Sequence, residues 1–195
     1  MMRYVLASAS PRRRQLLGSL GINFEIIPAT DDEHITSDVP SEVVTSLSQQ
    51  KAKEIFHKLL TDNKDTLVVI GSDTVVSYKE KILGKPTDRE DAKRMIQSIA
   101  GDTHEVYTGV TLMYTDETGS KEFSFYECTK VRVFPMTDSE IEDYLNTDEP
   151  YDKAGAYGIQ GIFGKYVEGI DGDYNCVVGL PVARLYQEMK KLKLI

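Results

Sequence analysis

Cysteine is scarce in this chain of 195 residues: Cys128 and Cys176 stand far apart and outside any metal-ligand spacing. They read as reduced thiols, neither a disulfide framework nor a zinc site. His34, His57 and His104 are scattered and form no H-x-x-x-H pattern. No apolar run approaches the ~20 residues of a membrane span. The opening Met-Met-Arg-Tyr-Val-Leu-Ala lacks the long apolar stretch of a secretory signal. Positive charge is in deficit, and a formal net charge of −8 argues against non-specific binding to nucleic acid or anionic membrane. There is no G-x-x-x-x-G-K-[ST], which removes the Walker-type nucleotide folds, and no G-x-S-x-G elbow, which argues against a serine hydrolase. The absences describe a soluble, cytoplasmic protein.

What is present is ordinary in bulk, with 41% hydrophobic and 28% charged residues, enough for one sizeable core. With no internal repeat, low-complexity linker or interior boundary, residues 1–195 read as a single domain. Apolar runs predict strands over Arg3–Ala7 and Phe24–Ile27, and the β-branched stretch Thr66–Tyr78 reads as central sheet. Helical spacing predicts Pro11–Leu20, Pro40 to about Leu60, and Asp88–Ile99 with Thr87 and Glu90 as a capping box. His104–Tyr114 and Glu122–Val133 form a hairpin about a turn at Asp116–Ser120. Thr137–Glu140 opens a short helix to about Leu145, and a glycine-rich stretch, Gly155–Gly164, precedes a last strand and a helix from Pro181. Alternating elements with a central hairpin predict an α/β fold whose sheet is mixed and flanked by helices.

The run Ser8-Ala9-Ser10-Pro11-Arg12-Arg13 sits where the first strand hands over to the first helix. Ser10 suits the cap and Pro11 the first turn, and free N–H groups beside guanidinium donors favour phosphate. Arg14 points elsewhere and reads as surface. Charges that break the apolar pattern are further candidates. Lys51 falls on the stripe Val43, Leu47, Ile55, Leu59, so it either snorkels to water or meets a buried partner. Asp73 interrupts the central strand at Gly71-Ser72-Asp73-Thr74. A carboxylate there needs a cation, a donor network or a cleft, unless a bend at Gly71 brings it to the surface. Lys85, in Leu83-Gly84-Lys85-Pro86, is presented from a stiff turn, and Glu33 lies in an acidic loop suited either to solvent or to a divalent cation. Gln160, in Ala154-Gly155-Ala156-Tyr157-Gly158-Ile159-Gln160-Gly161, offers a donor and an acceptor from what is either a flexible turn or a base-binding surface.

Taken together, Leu6–Arg13, Gly71–Val76, Leu83–Pro86, His104–Val110, Asp152–Gly161 and Gly172–Pro181 resemble the ordered signature blocks of the Maf family. The resemblance spans nearly the whole chain. It implies an elongated mixed-sheet α/β fold with a deep cleft, similar to inosine triphosphatase-like proteins, and commonly a homodimer. It implies a nucleoside triphosphate pyrophosphatase using a divalent metal, Mg²⁺ or Mn²⁺, that releases a nucleoside monophosphate and pyrophosphate. On that resemblance Asp73 is the general base, and Glu33 and Asp73 are the metal ligands. Lys51, Lys85 and Arg12 or Arg13 neutralise the phosphates, and Ser8 and Ser10 join that cradle. Arg12, Thr74 and Gln160 resemble the dTTP/UTP subgroup. Departures are mild, at Ser72 and at Asn175-Cys176. The alternatives are a pyrophosphatase for 7-methyl-GTP or other modified nucleotides, and a non-catalytic nucleotide-binding regulator of septum formation.

Overall fold

A computed structural model describes residues 2–60 and 66–195. The chain runs β1 (Met2–Leu6), α1 (Pro11–Gly18), β2 (Phe24–Ile26), α2 (Pro40–Leu59), β3 (Thr66–Tyr78), β4 (Lys81–Leu83) and α3 (Arg89–Ile99). It continues through β5 (Thr103–Asp116), β6 (Gly119–Val133), α4 (Asp138–Leu145), β7 (Val167–Asp171), α5 (Tyr174–Val178) and α6 (Val182–Lys191). The strands form one seven-stranded mixed sheet in the order β2-β1-β3-β5-β6-β7, with β4 pairing β3. β1 is parallel to β2 and β3; the remaining pairs are antiparallel. Among the described residues no helix is long and apolar enough to cross a membrane.

Side chains alternate across β3, so its two faces bury different partners. Val68 and Ile70 pack with Leu17 of α1 and Leu185 and Met189 of α6. Val69 packs on the opposite face with Ala52, Ile55 and Phe56 of α2. A third cluster gathers Ile96 and Ile99 of α3, Tyr144 and Leu145 of α4, and Tyr157 and Phe163 against Val106 and Val131.

β3 pairs β5 along one edge from Val68 to Ser77. Its other edge pairs β1 from Thr66 to Ile70 and β4 from Val76 to Tyr78. Between them, Gly71–Val75 have no strand of the described residues on that edge, and the sheet is notched there. The strand does not bend at Gly71. Instead, α2 lies directly on the backbone: a Cβ at Gly71 would sit 2.3 Å from the Ser48 carbonyl oxygen, and one at Gly109 2.3 Å from that of Val44. Glycine at both positions sets how low α2 rides on the sheet.

Several local expectations shift. Asp88, not Thr87, caps α3 by accepting from the Asp91 N–H at 2.8 Å, while Thr87 donates to the Asp91 carboxylate. An ionised carboxylate is favoured at a helix N-terminus, which moves the cap by one residue. The box at Thr137 and Glu140 forms as expected. The central hairpin is tighter than its sequence suggests, because Asp116 accepts from both the N–H and the hydroxyl of Thr118 at 2.7 Å. β4 was not legible: Lys79 and Glu80 take positive φ of 49° and 64° in its turn, with no glycine or asparagine to signal it.

Candidate active site

The notch in β3 separates two clusters on opposite faces of the sheet. On the α2 face, Lys51 Nζ lies 2.5 Å from Asp73 Oδ1 and 2.8 Å from Glu33 Oε1. The lysine neither snorkels nor lacks partners: its side chain is 17% exposed and that of Asp73 12%. Gly71 makes the meeting possible, since the close approach at Ser48 brings the next turn of α2 over Asp73.

Glu33 reaches Lys51 because α2 holds its loop from below. Gln50 accepts from the His34 N–H at 2.9 Å and donates to the His34 carbonyl at 2.8 Å. Glu54 accepts from the N–H groups of Thr30 and Asp31. Burial opposes ionisation of Glu54, but its hydrogen bonds to Lys58, Thr30 and Asp31 outweigh that and hold its carboxyl down at about 2. Neither Gln50 nor Glu54 was singled out from the sequence. Both look like ordinary polar helix residues until the loop is in place.

On the α1 face, Arg13 is the hub. Its Nε donates to the Gly179 carbonyl at 2.9 Å, one terminal nitrogen to Thr74 Oγ1 at 3.0 Å and the other to Ser8 Oγ at 3.4 Å. Burial pushes the pKa of this guanidinium down, opposed by the nearby Asp73 carboxylate. Ser72 donates to the same Gly179 carbonyl at 3.1 Å. Thr74 Oγ1 lies 2.9 Å from Thr108 Oγ1, and Thr108 donates to the Cys176 carbonyl at 2.7 Å. The proton directions follow: a carbonyl only accepts, so the Thr108 proton is committed, and Thr74 donates to Thr108 while accepting from Arg13. Thr74 therefore presents one lone pair and no proton to any ligand. Thr108, within the His104–Val110 block, carries no signal in the sequence for this role, since its partners are distant in the chain.

The start of α1 is satisfied from within more than its sequence suggests. Ser10 Oγ accepts from the Arg13 N–H at 3.4 Å, Ser8 Oγ from the Ser10 N–H at 3.2 Å, and Pro11 has no N–H. Arg12, half-buried, stands within electrostatic reach of Arg13 and Asp152. Arg14 is exposed, as anticipated.

Lys85 and Gln160 are exposed and belong to neither cluster. Their loops meet, however, where the Gly155 N–H donates to the Gly84 carbonyl at 3.0 Å. Among the described residues no group of three or more His, Cys, Asp or Glu side chains converges as a metal cage. A cavity of about 700 Å³ opens at the far end of β3 and β5, lined by Ser77, His104, Tyr107 and Lys130 among others, and no candidate residue lines it.

Comparison with known proteins finds relatives over nearly the whole chain. The chain is 51% identical over 201 residues to a dTTP/UTP pyrophosphatase of Agathobacter rectalis, covering 98% of each. It is 44% identical over 195 residues to a dTTP/UTP pyrophosphatase of Bacillus anthracis, covering 100% of this chain and 97% of that one. Among solved structures it aligns with the Staphylococcus aureus Ham1 protein at a TM-score of 0.42 and 9% identity, covering 67% of this chain and 71% of that one. Residues 3–192 match the Maf-like protein family. A relative at 51% identity over nearly the full length and a family match of that extent place it without ambiguity: this chain belongs to the Maf family.

Proposed function

We propose that this protein is a nucleoside triphosphate pyrophosphatase that hydrolyses dTTP and UTP to the nucleoside monophosphate and pyrophosphate. The observation that carries the reading is the meeting of Asp73, Lys51 and Glu33 beside the open edge of β3. The names of the relatives from A. rectalis and B. anthracis supply the substrate class.

The donor set fits a divalent cation. Two carboxylates approach one cationic centre, both offering hard oxygen, and Mg²⁺ is ordinarily held by one or two carboxylates plus substrate phosphates and water. Glu33 and Asp73 would hold it, and when bound it would neutralise and polarise phosphate oxygens. The chain's own groups account for the rest. Asp73 takes a proton from a water that attacks the phosphorus next to the nucleoside. The bond from that phosphorus to the bridging oxygen breaks, and its electrons leave on pyrophosphate. Lys51, Lys85 and Arg12 offset the charge that grows there, and Ser8 and Ser10 shape the wall beside it. Arg13 braces that wall through Ser8, Thr74 and Gly179.

Base choice falls to Thr74 and Gln160. Because the Thr74 proton is turned inward to Thr108, a ligand group meeting it must be a donor. The N3–H of uracil or thymine is one; N3 of cytosine is an acceptor. The test is pyrophosphate release with Mg²⁺ or Mn²⁺ from UTP, dTTP, CTP, dUTP, GTP, ITP and 7-methyl-GTP. Release chiefly from UTP and dTTP is expected. Release from 7-methyl-GTP or ITP alone overturns the base assignment, and no release from any nucleotide overturns the catalytic reading.

A further inference from the structure

The turn that carries Gln160 is held by a carboxylate outside both clusters. Glu149 lies between α4 and a short 3₁₀ turn, Pro150–Asp152. One of its oxygens accepts from the Ile162 N–H at 2.7 Å, the other from the Phe163 N–H at 3.3 Å and the Tyr144 hydroxyl at 3.1 Å. Ile162 opens the 3₁₀ stretch Ile162–Tyr166, whose preceding residue, Gly161, provides no side-chain cap. Glu149 supplies, from thirteen residues upstream of Ile162, the acceptor that a local cap would have given. Its own backbone is fixed too, the Glu149 carbonyl accepting from Lys153 Nζ at 2.7 Å.

The four residues before that stretch close a turn, with the Gly161 N–H donating to the Gly158 carbonyl at 3.2 Å. Ile159 and Gln160 occupy its two central positions. Both ends rest on the same support. A Cβ at Gly161 would fall 2.1 Å from the Glu149 carboxylate, and one at Gly158 3.0 Å from the Lys153 side chain and 3.8 Å from Glu149. Upstream, buried Tyr157 is fastened by its hydroxyl to His104 Nε2 at 2.7 Å. The exposed Gln160 is thus presented from a turn with little freedom to rock.

We propose that Glu149 is a positioning residue for base selection: it fixes the Gly158–Gly161 turn so that the Gln160 amide meets the base in one orientation. This rests on the reading that Gln160 contacts the base. Glu149 touches none of the Lys51, Asp73 or Glu33 side chains, so its loss should weaken recognition and leave the phosphoryl chemistry intact.

The test is steady-state kinetics of Glu149→Gln with UTP, dTTP and CTP, together with amide hydrogen exchange over residues 157–165. Gln keeps the shape but replaces one acceptor oxygen with a donor facing a backbone N–H. We expect KM for UTP and dTTP to rise about tenfold, the scale of one lost hydrogen bond to a charged group. We expect kcat to change by less than about twofold, the preference for UTP over CTP to shrink, and the Ile162 and Phe163 amides to exchange faster. Gly161→Ala, which forces a methyl group against the same carboxylate, should give the same pattern if Glu149→Gln folds poorly. The double variant should be no worse than either single one, because both break one contact. Unchanged KM and selectivity in Glu149→Gln overturn the proposal, as does a fall in kcat with selectivity intact. Gln160→Ala separates the premises. If it leaves base selectivity unchanged, Gln160 does not read the base; if it lowers selectivity while Glu149→Gln is silent, the role of Glu149 alone is lost.

Discussion

Asp73 and Thr74 are adjacent in sequence and face opposite sides of the same strand, in surroundings of opposite kind. Asp73 is held by one cation, Lys51, which it shares with the half-exposed Glu33. Thr74 is held by a hydrogen-bond chain from Arg13 through Thr108 to the Cys176 carbonyl, with every proton assigned. The α2 face is open and rearrangeable, as a site must be that exchanges one set of charges for a substrate's. The α1 face is tied together by a connected hydrogen-bond chain that leaves Thr74 one lone pair, as suits a surface that judges a ligand's polarity. A β-strand places these two environments one residue apart because its side chains alternate.

The comparison predicts that substitutions on the two faces will fail differently. The largest effect belongs to the open face. Asp73→Asn keeps the shape and removes the base, and turnover of UTP should fall by about a thousandfold while nucleotide binding, followed by calorimetry, stays measurable. Near-normal turnover would falsify the role given to Asp73. A smaller effect belongs to the α1 face. Thr108→Val removes the middle of the chain, leaves the Cys176 carbonyl without that donor and frees the Thr74 proton. Stability measured by denaturant should drop by about 1–3 kcal/mol, and discrimination against CTP should relax. Stability lost with selectivity intact would show that the chain braces the fold and has no part in reading the base.

The smallest effect tests burial on that face. His104 lies on the same face of β5 as Thr108, buried, with Nδ1 unpartnered among the described residues and Nε2 on the Tyr157 hydroxyl. Burial, partly offset by Asp102, lowers its pKa from 6.5 to about 4. The sign follows from the proton count. Between those two values the unfolded chain holds a proton on this ring and the folded protein does not, so stability falls as pH drops from 6.5 towards about 4. The slope, one proton's worth, should vanish in His104→Gln when midpoints are compared across that window. An identical pH dependence in the variant would mean that the ring is hydrated in solution.

Much of this was legible in the residues, for identifiable reasons. Strong periodicity and β-branched runs gave α2 and β3 with their ends nearly in place. Lys51 and Asp73 were visible because each breaks the pattern of a buried element, and the structure pairs them. The acidic loop at Glu33 was ambiguous alone, and it took Gln50 and Glu54, invisible as such in the sequence, to resolve it. The bend at Gly71 that would have carried Asp73 to the surface does not form, because a glycine inside a strand announces only that something is close, not what, and here it is the α2 backbone. The start of α1 was read as a set of free N–H donors, and Ser8 and Ser10 consume part of it. Glu149 gave no signal, since a carboxylate beside a proline in a polar loop resembles any solvated acid.

The sequence by itself determined the elements, the faces they bury and the residue types at the site, because these follow from local preference and from the cost of placing charge among apolar neighbours. It also carried the ordered blocks by which the family is recognised. Only the tertiary structure decided which charge meets which. That depends on how low α2 rides on Gly71 and Gly109, and on where β1 ends and β4 begins along β3. Only the assembled fold turned the Thr74 proton inward, since a hydroxyl's direction is fixed by partners 34 and more residues away in the chain.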